Sequence, residues 1–474
     1  MTATSVPDAR ARDVAIINAR IDRLPKWGLG TSAFVILGAC YLLAFYDIAV
    51  IGVAMPSIAQ GLHLTSAETT LPVSVNLIGY IIGALGLGNL ADRFGRRPVL
   101  AAVVVILAVS ALATAFSWDV MSLTVFRFIA GIGTGALITL AATFIGELSP
   151  AKSRGRYLAR NAFWTTVGNP IPALIALWLV HANVGSGWRI LLAVPVVMAL
   201  ALFFFRDSML PESPRWLASH GDLARARRLA DQMERRVGAG SLPADEEAAA
   251  VELAAAAHET TFRAVELLRR PFVGRLAVVF GMWFFFYFGM YAFLAWGPTI
   301  YEHLGATTSA ADLMTALGFA GGIIVAGLQI LWIDRIERKL TIIGGFTVFV
   351  IGFAVMALSA GEVMVTIGSV IASTGAIAGM IPAYAYTAEI FPTRARASAM
   401  GLGDGLGHLG GAIQSFVVVG VLSSAGPRPA LWLMAAALFI AVLFMLLAVR
   451  TTGRSLTELT ATDTGKAPAE TAAA

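Results

Sequence analysis

The sequence predicts an all-α membrane protein: twelve transmembrane helices in two six-helix parallel repeats, with a helical cytoplasmic loop between the halves. Three observations predict it: the composition, twelve long apolar stretches, and polar motifs that recur at one fixed interval. Of the 474 residues, 58% are hydrophobic and 13% charged, and the mean hydropathy is +0.77. A soluble globular protein is about 45–50% apolar and about 25% charged, so too little polar surface remains to coat a body dissolved in water. Disorder is excluded for the opposite reason, since it requires low hydrophobicity.

A transmembrane helix takes about 20 mostly apolar residues. Such stretches lie near 32–58, 67–90, 98–118, 120–147, 156–182, 188–206, 274–298, 309–333, 340–360, 362–388, 396–422 and 428–450. They define a tail (1–31), a first half (32–206), a loop (207–273), a second half (274–450) and a second tail (451–474). Residues 1–30 are polar and Arg-rich without an apolar core, so no cleavable signal peptide is expected. With the N-terminus in the cytoplasm, all but three of the 34 Lys and Arg fall on the cytoplasmic side, the exceptions being Arg127, Arg189 and Arg428. Basic loops face the cytoplasm, so both termini and the loop are expected there, in a multi-pass protein of the cell membrane. The same bias accounts for the net charge of +5 without nucleic acid as a partner. In the loop, Asp222 is placed to cap a helix whose Leu223, Ala226, Leu229, Ala230, Met233 and Val237 recur at helical spacing, with Gly238 ending it. Its expected role is to clamp the two halves.

Two motifs carry the repeat. Gly88-x-x-x-Asp92-Arg93-x-Gly95-Arg96-Arg97 lies between spans 2 and 3, and Asp334-Arg335-Ile336-Glu337-Arg338 between spans 8 and 9. Glu147-x-x-Pro150-x-x-x-Arg154 ends span 4, and Glu389-x-x-Pro392-x-x-x-Arg396 ends span 10. Asp334 follows Asp92, and Glu389 follows Glu147, by the same 242 residues. Two landmarks in one register argue for a duplication, and an even number of intervening spans makes it parallel. Carboxylates at helix ends beside basic loops suit a switch of charge pairs that form and break, with topology-setting loops as the plainer alternative. With Glu212 and Arg215 these are the expected gating residues.

These motifs, together with Pro211-Glu212-Ser213-Pro214-Arg215-Trp216-Leu217, resemble the major facilitator superfamily, and within it the group of sugar porters, organic-ion carriers and bacterial metabolite–proton symporters. The resemblance covers about 32 to 456 and implies alternating access, with a substrate site between two six-helix halves.

A charge at the centre of a membrane helix costs about 2.5–3.5 kcal/mol on insertion scales and marks a functional candidate. Spans 3, 6, 9 and 12 carry no ionisable residue away from their ends; the buried ones are Asp47, Arg127, Asp404 and His408. Tyr46-Asp47-Ile48-Ala49-Val50-Ile51 and Arg127 ahead of Gly131, Gly133 and Gly135 resemble the sugar-porter proton-coupling pair, which a permanent salt bridge would also explain. Asp404 and His408, four residues apart, share a helix face; they form a second proton or substrate site, or an i,i+4 hydrogen bond that packs span 11. In organic-ion carriers the position matching His408 is acidic for cations and Arg for anions, so histidine leaves the sign of the substrate open.

The sugar-binding amides are missing. Span 7 of sugar porters reads Gln-Gln-x-x-Gly-x-Asn, where this chain has Phe285-Phe286-Tyr287-Phe288-Gly289-Met290-Tyr291, and Tyr384 stands for a tryptophan in span 10. Phe285, Phe286, Tyr287, Tyr291, Trp296 and Tyr384 instead suit a flat, partly apolar solute, with Asn161, Thr165, Asn169 and Gln414 to orient it. The expected function is proton-coupled symport of a small organic metabolite, a carboxylate or aromatic compound rather than a sugar. A proton-coupled sugar transporter, an exporter of amphipathic compounds and a solute sensor are the alternatives. No cofactor is expected beyond the proton gradient, nor a metal, and the partners are solute, protons and lipid, in a monomer. The single Cys40 sits in an apolar stretch and supports no disulfide framework. An enzyme is disfavoured: no Ser/His/Asp order or phosphate loop appears, and the glycines at 131–135 lie in a membrane helix rather than after a strand.

Overall fold

The computed structural model of the chain describes residues 9–181, 186–203, 209–240, 243, 246–247, 264–270, 272–329, 336–391 and 396–450. All regular structure among them is helical. Eleven segments are long and apolar enough to cross a membrane. They are span 1 (Thr31–Gly61), span 2 (Ser66–Phe94), span 3 (Arg96–Ala115), span 4 (Val120–Leu148), span 5 (Ala151–Leu179), span 7 (Phe272–His303), span 8 (Thr308–Gln329), span 9 (Arg338–Leu358), span 10 (Glu362–Glu389), span 11 (Ser398–Ala425) and span 12 (Pro427–Leu446). The shorter apolar helix Gly187–Phe203 stands where span 6 was expected.

Three of the helices depart from continuous α. Span 5 divides into Arg154–Gly168 and Ile171–His181. Pro170 between them lacks an N–H and its ring crowds the carbonyl four residues back. Span 8 divides into Thr308–Gly318 and Ala320–Gln329. Span 11 contains a π-helical turn, Gly401–Gly405, in which Leu406 N–H bonds back to the carbonyl of Gly401. Such turns occur frequently at functional sites.

Spans 3, 6, 9 and 12 turn apolar side chains outward, among them Val109, Val197, Leu358 and Phe439. That is the pattern of lipid-facing helices. Within the first half, spans 2 and 4 approach backbone to backbone. A Cβ on Gly131 would stand 2.0 Å from the carbonyl oxygen of Asn76, and one on Gly135 2.1 Å from that of Tyr80, as small residues permit in membrane helices.

The loop helix forms as the spacing predicts. Leu223–Val237 is capped by Asp222, which accepts from Arg225 N–H, and ends at Gly238 in the left-handed region (φ 70°). The supposed N-terminal tail differs from expectation. Ala9–Asp22 is a helix, and its Ile17 and Ile21 pack with Leu217, Ala226 and Met233 of the loop. The predicted clamp is not seen among the described residues: Leu223–Val237 packs on the N-terminal helix and Pro214–Ser219, and the separate turn Ala264–Leu268 packs on span 7.

Candidate functional site

Asp47 and Arg127 are both fully buried. Arg127 Nη1 donates to Asp47 Oδ1 at 2.8 Å and Nη2 to the Asp47 carbonyl at 3.1 Å. Thr134 Oγ1 donates to the other carboxylate oxygen at 3.0 Å, and Asn76 Nδ2 to the Arg127 carbonyl at 2.8 Å. Spans 1, 2 and 4 are thereby tied through one ion pair. Sequence reasoning missed Thr134 and Asn76, because a hydroxyl or amide inside an apolar helix does not stand out as a charge does.

The second cluster lies on the seam between the halves. Trp283, Tyr287 and Tyr291 recur every four residues along one face of span 7, with rings 5.1 and 5.5 Å apart. Tyr287 Oη donates to Asp404 Oδ1 at 2.5 Å and meets Tyr384 Oη at 2.9 Å. His408 is sandwiched between Tyr287 of its own half (3.9 Å between centroids) and Tyr80 of span 2 in the other half (4.3 Å). Its Nδ1 lies 2.9 Å from the Asp404 backbone carbonyl rather than the carboxylate. The expected i,i+4 contact therefore forms, but through the main chain. Tyr80 was absent from the sequence reading, since nothing in its surroundings announces a partner 328 residues away.

Three of the expected substrate-binding residues are buried and carry polar atoms without a hydrogen-bond partner, Asn169 Oδ1, Trp296 Nε1 and Gln414 Oε1, while Asn161 is buried against Tyr41 of span 1. A buried unsatisfied polar group costs about 1–3 kcal/mol, so such atoms point to a ligand. Thr165 is also buried on span 5. Phe285 and Phe286 fall elsewhere. Phe285 stacks on Phe444 of span 12 and Phe286 on Phe346 of span 9, so both pack the second half rather than the seam. Trp296 sits nine residues beyond Tyr287, in a separate cavity at the far end of the seam.

At the basic end the motifs form ion pairs. Arg96 Nη2 bonds Glu147 Oε1 at 2.7 Å and Arg96 also pairs with Asp92. Glu212 receives the first backbone N–H groups of span 3, Arg96 and Arg97, at 3.1 and 3.2 Å, an anion at a helix N-terminus. Gly95 makes room for it: its φ is 103°, and a Cβ there would stand 2.5 Å from Glu212 Oε2. Arg215 Nε donates to the Glu147 carbonyl at 2.8 Å, while Asp22 of the N-terminal helix pairs with both Arg154 and Arg215 at 2.7 Å. Arg93 is exposed and lies over the ring of Phe94, and Gly88 faces open space. In the second half Arg338 pairs with Glu389 at 2.9 Å. Arg338 and Glu389 each follow Arg96 and Glu147 by 242 residues, so the duplicated motifs make the same pair. Asp334 and Arg335 lie outside the described residues, as does the side chain of Arg396.

The N-terminal helix is held by charge. Arg20 and Arg23 both bond Glu234. The Glu234 hydrogen bond keeps the Arg20 guanidinium above its ordinary range. Burial opposes ionisation of Glu234, but the bonds from Arg20 and Arg23 outweigh it and hold the carboxyl below the usual range.

Two bundles of spans, related by an internal repeat and meeting along a polar, aromatic seam, define a multi-pass membrane transporter of the major facilitator fold. The chain belongs to the sugar (and other) transporter family, whose model matches residues 32–462. It is 26% identical over 405 residues (84% of this chain, 89% of the relative) to the niacin transporter NiaP of Acinetobacter baylyi. It is 30% identical over 341 residues (69% of this chain, 70% of the relative) to the 4-hydroxybenzoate transporter PcaK of Pseudomonas aeruginosa. The inward-open xylose transporter XylE from E. coli superposes with a TM-score of 0.74 at 22% identity, over 91% of this chain and 99% of that one.

Proposed function

We propose that the protein is a proton-coupled symporter of a small aromatic carboxylate, working by alternating access with its basic end in the cytoplasm. The carrying observation is the seam cluster: Asp404 bonded to Tyr287, Tyr384 beyond it, and His408 between rings from both halves. Stacked rings offer a flat solute faces of its own kind, and the unpaired amide oxygens of Asn169 and Gln414 offer it polar partners. Relatives that carry niacin and 4-hydroxybenzoate support the same class.

Asp47 and Asp404 are the proposed proton carriers. Each carboxylate is held by donors of its own half, Arg127 and Thr134 for Asp47 and Tyr287 for Asp404, so a shift of helices within a half is what would release it. Losing its donors raises a buried carboxylate's affinity for a proton. Tyr287, which bonds Asp404, also stacks on the His408 ring that meets Tyr80 of the other half, so protonation of Asp404 and closure of the seam act on one cluster. A monoanion moving with one proton carries no net charge, so the membrane potential, worth about 2.3 kcal/mol per charge at 100 mV, would not drive it. The pH gradient would.

Proteoliposomes holding a pH dye test this with nicotinate, 4-hydroxybenzoate, xylose and a neutral amide of each acid. The expected result is acid-triggered proton entry that responds to the pH gradient, ignores the potential, and disappears in Asp47→Asn and Asp404→Asn. Solute exchange without proton movement would reduce both carboxylates to structural roles, and proton entry with xylose alone would favour the sugar reading.

A further inference from the structure

A cavity of about 200 Å³ lies at the end of the seam away from the basic motifs. Its walls come from both halves: Gln60 and Thr69 on spans 1 and 2, Trp296, Thr299, Glu302 and His303 on span 7. Trp296 is 2% exposed, and its indole Nε1 has no hydrogen-bond partner; neither has Thr299 Oγ1. Two unsatisfied groups one helical turn apart on the same wall call for a ligand that accepts from the indole and bonds the hydroxyl. The charge of the wall fixes the rest of that ligand. Glu302 is the lining carboxylate, and no Lys or Arg lines the cavity among the described residues. His303 points back along its own helix, with Nδ1 2.8 Å from the Thr299 carbonyl. A Trp ring beside a carboxylate is the pairing that recognises an organic ammonium ion.

We infer that this cavity is a second binding site, for a small hydroxylated organic ammonium ion, and that its occupant holds the seam shut at that end. The inference rests on the alternating-access reading, since only a seam that opens can be held closed. A ligand touching both walls binds the closed arrangement and loses half of its contacts when the halves separate. It therefore shifts the population toward the closed form by its difference in affinity for the two states. The site is distinct from the Tyr287–Asp404–His408 cluster, and an occupant is not expected to be carried across.

Choline and its neutral carbon analogue 3,3-dimethylbutan-1-ol, which share shape and hydroxyl but not charge, are the probes. Thermal unfolding and hydrogen exchange are followed on the purified full-length protein. Choline is expected to raise the unfolding midpoint and slow exchange across residues 55–66 and 296–303, while the neutral alcohol does neither. Glu302→Gln is expected to weaken choline about tenfold or more, and Thr299→Val to weaken it less. Asp404→Asn is expected to leave it unchanged. An equal effect of the alcohol, no effect of choline, or binding that survives Glu302→Gln but fails in Asp404→Asn overturns the site. Stabilisation without slower exchange at the seam overturns the closing role. Glu302-dependent choline binding in a protein that moves no solute in proteoliposomes would support the site while refuting the transport reading.

Discussion

At the scale of single residues, the legible part of the site was its charge. Asp47 and Arg127 stand out in apolar helices because an ion there must be matched, and each proves to be the other's partner at 2.8 Å. The groups completing that match, Thr134 and Asn76, were not legible: in a helix a threonine usually bonds its own preceding turn, as Thr134 also does to Ala130. The pair makes a stability prediction. Removing one member of a buried ion pair costs about 3–5 kcal/mol, because the other charge is left uncompensated. Asp47→Asn is therefore expected to lower the unfolding midpoint of the purified protein markedly, as is Arg127→Gln. The double variant should recover most of the loss, since two neutral amides leave no orphan ion. Additive losses in this double-mutant cycle, read by thermal unfolding, would show that the pair contributes no coupling. Phe285 and Phe286 show the opposite failure. The sequence offers seven aromatic residues in the nine positions from Trp283 to Tyr291, and a helix can turn only some of them toward the seam. Which ones was undecidable without the neighbours, Phe346 and Phe444.

At the scale of elements, long apolar helices and capped amphipathic ones were readable, and breaks inside helices were not. Pro170 interrupts span 5, whereas Pro56, Pro72, Pro298 and Pro382 lie inside unbroken helices. A membrane helix with packed neighbours absorbs the lost bond, so proline alone does not mark the break. The N-terminal helix was missed for a different reason: Ala9–Asp22 intersperses its eight apolar residues with five charged ones and acquires its reason to fold from the loop helix opposite. That dependence is electrostatic and predicts pH sensitivity. The Glu234 carboxyl titrates below its ordinary value in the folded protein, so its contribution is present above the unfolded value, about 4.3. It is lost as pH falls through the lower folded value. Exchange protection of residues 9–22 is expected to hold from pH 7 to about 5 and to fall below 4. Glu234→Gln should release the helix at neutral pH: losing a hydrogen bond to a charged partner costs about 1.5–3 kcal/mol, roughly 10–150-fold in docking. Protection unchanged in that variant would mean that the apolar contacts of Ile17 and Ile21 suffice.

At the scale of the whole molecule, the duplication is the feature the sequence expressed most fully. One interval of 242 residues, read from two motifs, anticipates that Arg96–Glu147 and Arg338–Glu389 are equivalent, and each forms a pair in its own half. How the halves meet was not legible, because a seam is made by residues with no common pattern. Inside the halves the helices lock through backbone contacts, as at Gly131 and Gly135 in the first and at Gly345 and Gly375 in the second. Between the halves Gly52 of span 1 packs tightly on the backbone of span 7: a Cβ there would stand 2.2 Å from the Leu294 carbonyl oxygen and 2.8 Å from Ala295 Cα. Real Cβ atoms do not come that close to backbone, so Gly52→Ala cannot be accommodated by a rotamer change and must push the spans apart. Two rigid halves joined by a thinner seam respond to such a push by rocking. Gly52→Ala is therefore expected to populate the arrangement open at the end of the seam away from the basic motifs. Spin labels at His63 and Thr307, both exposed beyond the outer ends of spans 1 and 7, should move apart, in a background where Cys40 is replaced by alanine. A sugar-porter-fold transporter held open at one end should also keep binding solute from that side while losing net turnover. If the label distance and turnover both stay as in the parent, the seam yields locally at Leu294 and the halves do not rock about it.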